Sequence, residues 1–404
     1  MSSPFELTVG STRVLYGASF VDESLFLPFQ SDDLQCRDAD DDSGYLYFEA
    51  PCRVVGRRLD LLGFTMAAAE ADYSGALEST RERSDRHFDL LAEMATHDKS
   101  IGDPRERFRR YEWPATIKDW QKTVVSVAAR VQNLEDPTEW SAEKSVWEDS
   151  LLGFPGGGLW EVVRALADAY PDDPVRLDLT ELARGGYLAE DGSDVATEGC
   201  RDPLIILTEG KSDARILRAA IDTLFPDYSD FIRFIDYDFA KAAGGVPEVV
   251  RFVRMFAGSG IKNRVLALFD NDTAGNEARD QLGKLPANVF TMCLPHLSLF
   301  ELYPTEGPDG AGRSDISGRA CSLELYLGLH ALTDPVREEC PVRWTGFNEK
   351  MGRYQGEIRD KGGVQTRFEL SLKDVRENPS RRTAYDFSGI EAIFEAMLAT
   401  VRTR

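Results

Sequence analysis

Acidic side chains recur in this chain where apolar runs end. Leu204-Ile-Ile-Leu207 closes through Thr208 on Glu209-Gly210, and Asp213 then opens a segment whose Ile216, Leu217, Ala220, Ile221 and Leu224 recur at helical spacing. About sixty positions later, Val265-Leu-Ala-Leu-Phe269 stops at Asp270-Asn-Asp272 and turns through Thr-Ala-Gly275 into a further helical pattern. Strand, helix and strand in that order make two parallel strands joined by a right-handed crossover, so both carboxyl ends open on one crevice. Glu209, Asp270 and Asp272 should therefore converge. Carboxylates gathered at one point raise each other's pKa unless a cation lies between them, and hard oxygen donors favour Mg²⁺ or Mn²⁺.

Other residues either add to this centre or stand apart from it. Asp236 and Asp238, after the expected strand Phe231 to Tyr237, either add acidity to the same crevice or cap a turn. Gly244-Gly245 would let backbone approach it. Gly210-Lys-Ser212 lacks the first glycine of a phosphate-binding loop, because Ile205 stands there, so a nucleotide hydrolase of that type is rejected. The Phe154-Pro-Gly-Gly-Gly158 stretch reads as a turn. From Val342 to Phe368, Arg343, Lys350, Arg353, Arg359, Lys361 and Arg367 lie among Trp344, Phe347 and Tyr354, as either a phosphate-holding surface or a hairpin with solvated charges. Lys361 is the foremost candidate for a cation at the site.

The elements that must carry these groups follow from the patterning. Phe5 to Tyr16 alternates as a hairpin, Tyr45 and Tyr47 mark another strand, and a long helical pattern begins near Val54 and runs to Leu77. The acidic run Asp38 to Asp42 reads as a solvated loop. Ile117, Trp120 and Val124 share a helical face, with Trp140, Val146 and Trp147 beyond. Only short apolar pieces such as Val175 to Leu179 occupy Pro171 to Asp202. At 404 residues more than one core is expected. We divide the chain into 1–200 (mixed α/β and helical), 201–335 (an α/β unit with a mostly parallel sheet flanked by helices) and 336–404 (a basic hairpin and helix). The amphipathic last helix, with Ile390, Ile393, Phe394, Met397 and Leu398, should cover the sheet or meet another subunit, and a homo-oligomer is expected. A formal charge of −22 excludes a general basic surface for nucleic acid. Six scattered cysteines with no C-x-x-C suggest neither a zinc ribbon nor a disulfide framework. With no leader and no apolar run that could span a bilayer, a cytoplasmic protein without a membrane partner is expected.

Glu209-Gly210 with Asp213, followed by the Asp270-x-Asp272 pair, resembles the Toprim domain, and in its acid content the overcoming-lysogenization-defect (OLD) nucleases. The resemblance implies that Asp270 and Asp272 bind a divalent metal. It implies that Glu209 serves as general acid/base or as a further ligand, and that Glu324, in Cys321-Ser-Leu-Glu324, is an additional metal-binding acid. Glu301 and Asp315 are weaker candidates. The hairpin Phe5 to Tyr16 and Arg57-Arg-Leu-Asp-Leu-Leu-Gly-Phe-Thr65 resemble the N-terminal domain of HEPN/Toprim proteins. What this kinship implies is a nuclease cleaving phosphodiester bonds, DNA ahead of RNA, in a bacterial defence or toxin setting, with an activating protein partner expected. Alternatively, the acids would form a vestigial site in a metal-binding or regulatory protein. Arg81-x5-His87 fits the spacing of HEPN ribonucleases, although a salt-bridged helix face accounts for it as well.

Overall fold

The computed structural model describes residues 3–18, 20–37, 44–97, 112–131, 151–189, 192–193, 195, 202–308, 310–334, 336 and 339–403. The acidic run at 38–42, Trp140, Val146, Trp147 and Cys200 lie outside the described residues. The fold is mixed α/β, in two units, Met1–Arg201 and Asp202–Arg404.

The first unit holds a five-stranded antiparallel sheet of β1 (Pro4–Val9), β2 (Thr12–Ala18), β3 (Leu34–Arg37), β4 (Tyr45–Pro51) and β5 (Pro174–Asp178), ordered β2-β1-β5-β4-β3. The middle strand is thus the last in sequence. Reading Val175 to Leu179 as a minor apolar piece understated it, since five residues suffice for a strand paired on both sides and Val175 and Leu177 are wholly buried. The single helical pattern expected from Val54 to Leu77 is two helices, α1 (Cys52–Leu62) and α2 (Met66–His97). Gly63 ends the first at φ 106°, a left-handed conformation natural to glycine, and the Thr65 hydroxyl accepts from the Ala68 N–H as the second begins. α3 (Ile117–Val131) and α4 (Leu159–Ala169) complete the packing. Tyr73, Trp120 and Phe154 form an aromatic core with ring centroids 5.1 to 6.5 Å apart, so these rings are interior rather than a base-binding surface. α5 (Thr180–Arg184) follows β5.

The second unit is built on a four-stranded parallel sheet of β6 (Leu204–Leu207), β7 (Ile232–Phe234), β8 (Val265–Phe269) and β10 (Val289–Cys293), ordered β10-β8-β6-β7. All five residues of β8 are buried, as continuous apolar runs in the middle of a covered parallel sheet should be. α6 (Lys211–Leu224), α7 (Val246–Ser259) and α8 (Thr273–Gln281) alternate with the strands, and Val249, Phe252, Val253 and Ala278 cover one face. Two-residue strands β9 (Asn271–Asp272) and β13 (Ala320–Cys321) pair antiparallel. A second sheet runs β12-β11-β14-β15, from β11 (Tyr303–Gly307), β12 (Gly310–Ser314), β14 (Val342–Asn348) and β15 (Arg353–Ile358). After the short α9 (Leu329–Leu332) come α10 (Lys361–Glu377), packed along α6, and α11 (Ser388–Val401), packed on β10. There the Thr400 hydroxyl reaches the Met292 sulfur, and the Arg264 guanidinium donates to the Val401 carbonyl. Among the described residues no helix is long and apolar enough to cross a membrane.

Candidate metal centre

Adjacent parallel strands β6 and β8 end side by side, and each delivers an acid into the same crevice. Glu209 follows β6 after Thr208, and its Oε1 accepts the backbone N–H of Asp270, the residue that follows β8, at 2.9 Å. That bond ties the two strand ends together. Asp272 caps α8: its Oδ1 accepts the Gly275 N–H at 2.7 Å. Gly275 is required there, because a Cβ would run into the Asp270 carbonyl. Pairing of Ala320 with Asp272 brings the loop after β13 alongside. Its Leu323 N–H donates to Asp270 Oδ1 at 3.2 Å, and Glu324 follows with its side chain wholly buried.

Glu324 is held from three directions. Ser322 Oγ donates to Oε2 and Gln365 Nε2 to Oε1, both at 2.7 Å, and Lys361 Nζ lies 3.1 Å from Oε1. Lys361 is the first residue of α10. Asp360 precedes it in a left-handed conformation (φ 60°) and caps the helix by accepting from the Gly363 N–H at 3.2 Å. Four residues, just over one turn, bring Gln365 back above Lys361, so one helix face presents both groups.

The electrostatics show a cluster short of positive charge. Burial, then the charges of Asp272 and Asp213 against an opposing bond from the Asp270 N–H, push the Glu209 carboxyl up to about 7. Burial first, and then Glu209, Asp213, Asp272 and Glu324, hold Asp270 well above the ordinary carboxylate range. Asp213 is raised by burial and by Glu324. Asp272 is raised by burial, opposed by the backbone N–H groups at the start of α8. Burial disfavours the Lys361 ammonium, yet Glu324, Asp213 and Asp270 outweigh it and keep its pKa above the usual lysine value.

Donor type and charge fit Mg²⁺ or Mn²⁺, since every acid here offers hard oxygens. Glu209 Oε1 and Asp270 Oδ1 are engaged by backbone N–H groups, and each carboxylate retains a second oxygen. Even so, among the described residues no group of three or more His, Cys, Asp or Glu side chains stands arranged as a ready metal shell. In this arrangement Lys361 is the cation that the acids face.

Glu209, Asp270, Asp272, Glu324 and Lys361 thus come together. Asp213, part of the Glu209-Gly210 motif in the sequence but given no role there beyond opening a helix, belongs with them. Its signal was its place, four positions past the strand-end glutamate on the first turn of the helix that starts at the crevice. Ser322 and Gln365 also went unforeseen, although a position four after Lys361 on one helix marks the second. Asp236 and Asp238 do not join: the strand before them is only Ile232–Phe234, Asp236 caps the Phe239 N–H, and exposed Asp238 pairs with Lys211 at 3.2 Å. Asp315 caps Ser317, and Glu301 pairs with His296. Arg81 donates to the Trp113 carbonyl at 3.1 Å, whereas His87 is exposed. Six positions on one α-helix turn a side chain about 120° away from the first, so these two do not share a face. The five described cysteines, Cys36, Cys52, Cys293, Cys321 and Cys340, are free thiols.

No curated protein and no solved structure matches this chain. The family model described as HEPN/Toprim N-terminal domain 1 matches residues 1–201, the span of the first unit. Residues 1–201 are accordingly similar to an HEPN/Toprim N-terminal domain, and the acid cluster lies entirely in the second unit.

Proposed function

We propose that the second unit is a Toprim-type, Mg²⁺- or Mn²⁺-dependent nuclease that hydrolyses phosphodiester bonds. The observation that carries this reading is the delivery of Glu209 and Asp270 by the ends of adjacent parallel strands β6 and β8, at a crevice also reached by Asp213, Asp272 and Glu324. Asp270, Asp272 and Glu324 would hold the dication, with Glu209 as a further ligand or as the group that takes a proton from the attacking water. When bound, the dication supplies Lewis-acid stabilisation of charge developing on the phosphate. Glu209 suits proton transfer because its carboxyl titrates near neutrality, where a general base is most effective. Lys361, now paired with Glu324, is placed to exchange that partner for a phosphate oxygen and to neutralise it.

A specific observation favours a second reading, a regulatory protein with a vestigial site and no catalysis: Lys361 already pairs with Glu324, one of the acids that would hold the metal. Purified protein incubated with plasmid, single-stranded DNA and RNA in Mg²⁺, Mn²⁺ or EDTA separates the two. The nuclease reading expects metal-dependent cleavage of at least one polymer, abolished in Asp270→Asn and Asp272→Asn proteins that remain folded. Cleavage that persists in both variants would remove these acids from the chemistry. Metal binding with no cleavage of any polymer would leave the regulatory reading standing.

A further inference from the structure

The β14–β15 hairpin carries three aromatic rings that the proposed chemistry does not use. Its register slips between Trp344, which opposes Gly356, and Gly346, which opposes Gln355. Ordinary alternation would send Trp344 and Phe347 to opposite faces; the extra residue, Thr345, turns both to the face of Tyr354. Tyr354 then lies between them, with ring centroids 6.0 Å from Trp344 and 5.0 Å from Phe347. Gly356 leaves room for the indole, since a Cβ there would come within 3.1 Å of it. Near the root of the hairpin the same face ends in buried Val342 and Ile358, while Phe347 is 53% and Tyr354 55% exposed.

The β15 edge of the hairpin adjoins the acid cluster, while the strand residues on the aromatic face, Val342, Trp344, Phe347, Tyr354, Gly356 and Ile358, carry no charge. The Thr273 hydroxyl, one residue after Asp272, donates to the Tyr354 carbonyl at 3.1 Å. Arg353 donates to the Gly318 carbonyl at 3.4 Å, just before β13. Glu357 alternates to the other face, where it pairs with Arg343 at 3.1 Å. Lys350 and Asn348 engage Glu277 of α8.

We propose that Trp344, Phe347 and Tyr354 are a stacking platform for unpaired bases, so that the acid site receives its nucleic acid as a single strand. The destination of the strand rests on the nuclease reading; its binding does not. Every base presents a π face, which makes such a platform indifferent to sequence, whereas a duplex keeps those faces stacked inside. Strand positions without carboxylates are also where a chain of charge −22 can best tolerate phosphates. Area argues against a second copy as the occupant. Aromatic side chains bury roughly 150–250 Å² each when covered. Phe347 and Tyr354 are about half-covered already and Trp344 more so, and the three rings together therefore offer at most on the order of 300 Å², well below the roughly 800 Å² per partner of a stable interface.

The test uses full-length protein in EDTA, titrated by fluorescence anisotropy into a labelled oligothymidylate and into a duplex of equal length. The single strand should bind at least about tenfold tighter than the duplex. Phe347→Leu with Tyr354→Leu keeps apolar bulk but removes π faces, and should weaken single-strand binding by roughly 10- to 100-fold. Phe347→Tyr with Tyr354→Phe should bind like the wild type. Unchanged affinity in the leucine protein, a preference for duplex, or loss of a concentration-dependent dimer in place of DNA binding would overturn the platform. The two readings fail separately: ring-dependent binding by a protein that cleaves nothing with Mn²⁺ removes the nuclease alone, and cleavage with ring-independent binding removes the platform alone.

Discussion

Glu209 is subject to two opposed demands. Burial and neighbouring acids keep its proton on, with a carboxyl pushed up to about 7, while a bound dication would require the proton off. In the unfolded chain the same group titrates near the ordinary glutamate value of about 4.3. The folded protein therefore holds more protons than the unfolded chain between about pH 4.5 and 7, and its stability falls as pH rises through that window, by on the order of 2–3 kcal/mol from Glu209 alone. Asp213 and Asp272, also raised, act in the same direction. Thermal melts in EDTA should show the decline, Mn²⁺ should oppose it most at the alkaline end, and Glu209→Gln should flatten the profile because the amide can still accept the Asp270 N–H. An alkaline melt of Glu209→Gln no higher than that of the wild type would mean that this carboxyl is not under strain. If Glu209 handles protons, the same variant should also lose roughly 10²- to 10⁴-fold in turnover with metal affinity intact. A weakened Mn²⁺ affinity with partial rescue at high metal would identify a ligand instead, and calorimetric titration beside single-turnover cleavage distinguishes the two.

At the scale of elements, the site depends on how closely α8 starts against β8. Gly275 is the close approach, and Gly275→Ala should push the first turn of α8 away from the Asp270 carbonyl and loosen the Asp272 cap. A cost of about 1–3 kcal/mol in urea unfolding is expected, as for other forced contacts in packed interiors, with cleavage falling at least about tenfold. Unchanged unfolding and cleavage would show that the turn yields freely. The sequence revealed β6 and β8 with their terminal acids because strands buried in a parallel sheet are continuous apolar runs, and the chain stops being apolar where it meets the crevice. Other features were hidden for physical reasons. β5 is short and completes its sheet only through partners far away in sequence. The β9–β13 pair has two residues on each side, too few for any periodicity, yet it brings Glu324 to Asp270. The pairing of Lys361 with Glu324 depends on α10 packing beside that loop, which no local pattern encodes. Asp236-x-Asp238 had the same local form as Asp270-x-Asp272. What separates them is position: Asp236 and Asp238 lie beyond the short edge strand β7, whereas the Asp270 pair follows the interior strand β8.

On the scale of the whole molecule, charge decides how nucleic acid could be held. With 69 acidic against 47 basic residues, the chain repels a polyanion at long range, so it gains no broad electrostatic steering. The cations around the hairpin are largely committed: Arg343 to Glu357, Lys350 to Glu277 and Arg359 to Glu306. Phosphate contacts should then be few, with Lys361 among them once Glu324 turns to a metal. For a single strand each neutralised phosphate contributes a slope of about −0.7 to log K against log salt, so three contacts give about −2. Anisotropy titrations of an oligothymidylate with the folded, cleavage-deficient Asp270→Asn protein, across a series of KCl concentrations, should return a slope near that value. Stacking, being insensitive to salt, should account for the affinity that remains at high KCl. A slope of about −6 or steeper would mean that many cations meet phosphate despite the acidic surface, and the strand would then be held by charge along a path that these committed ion pairs do not provide.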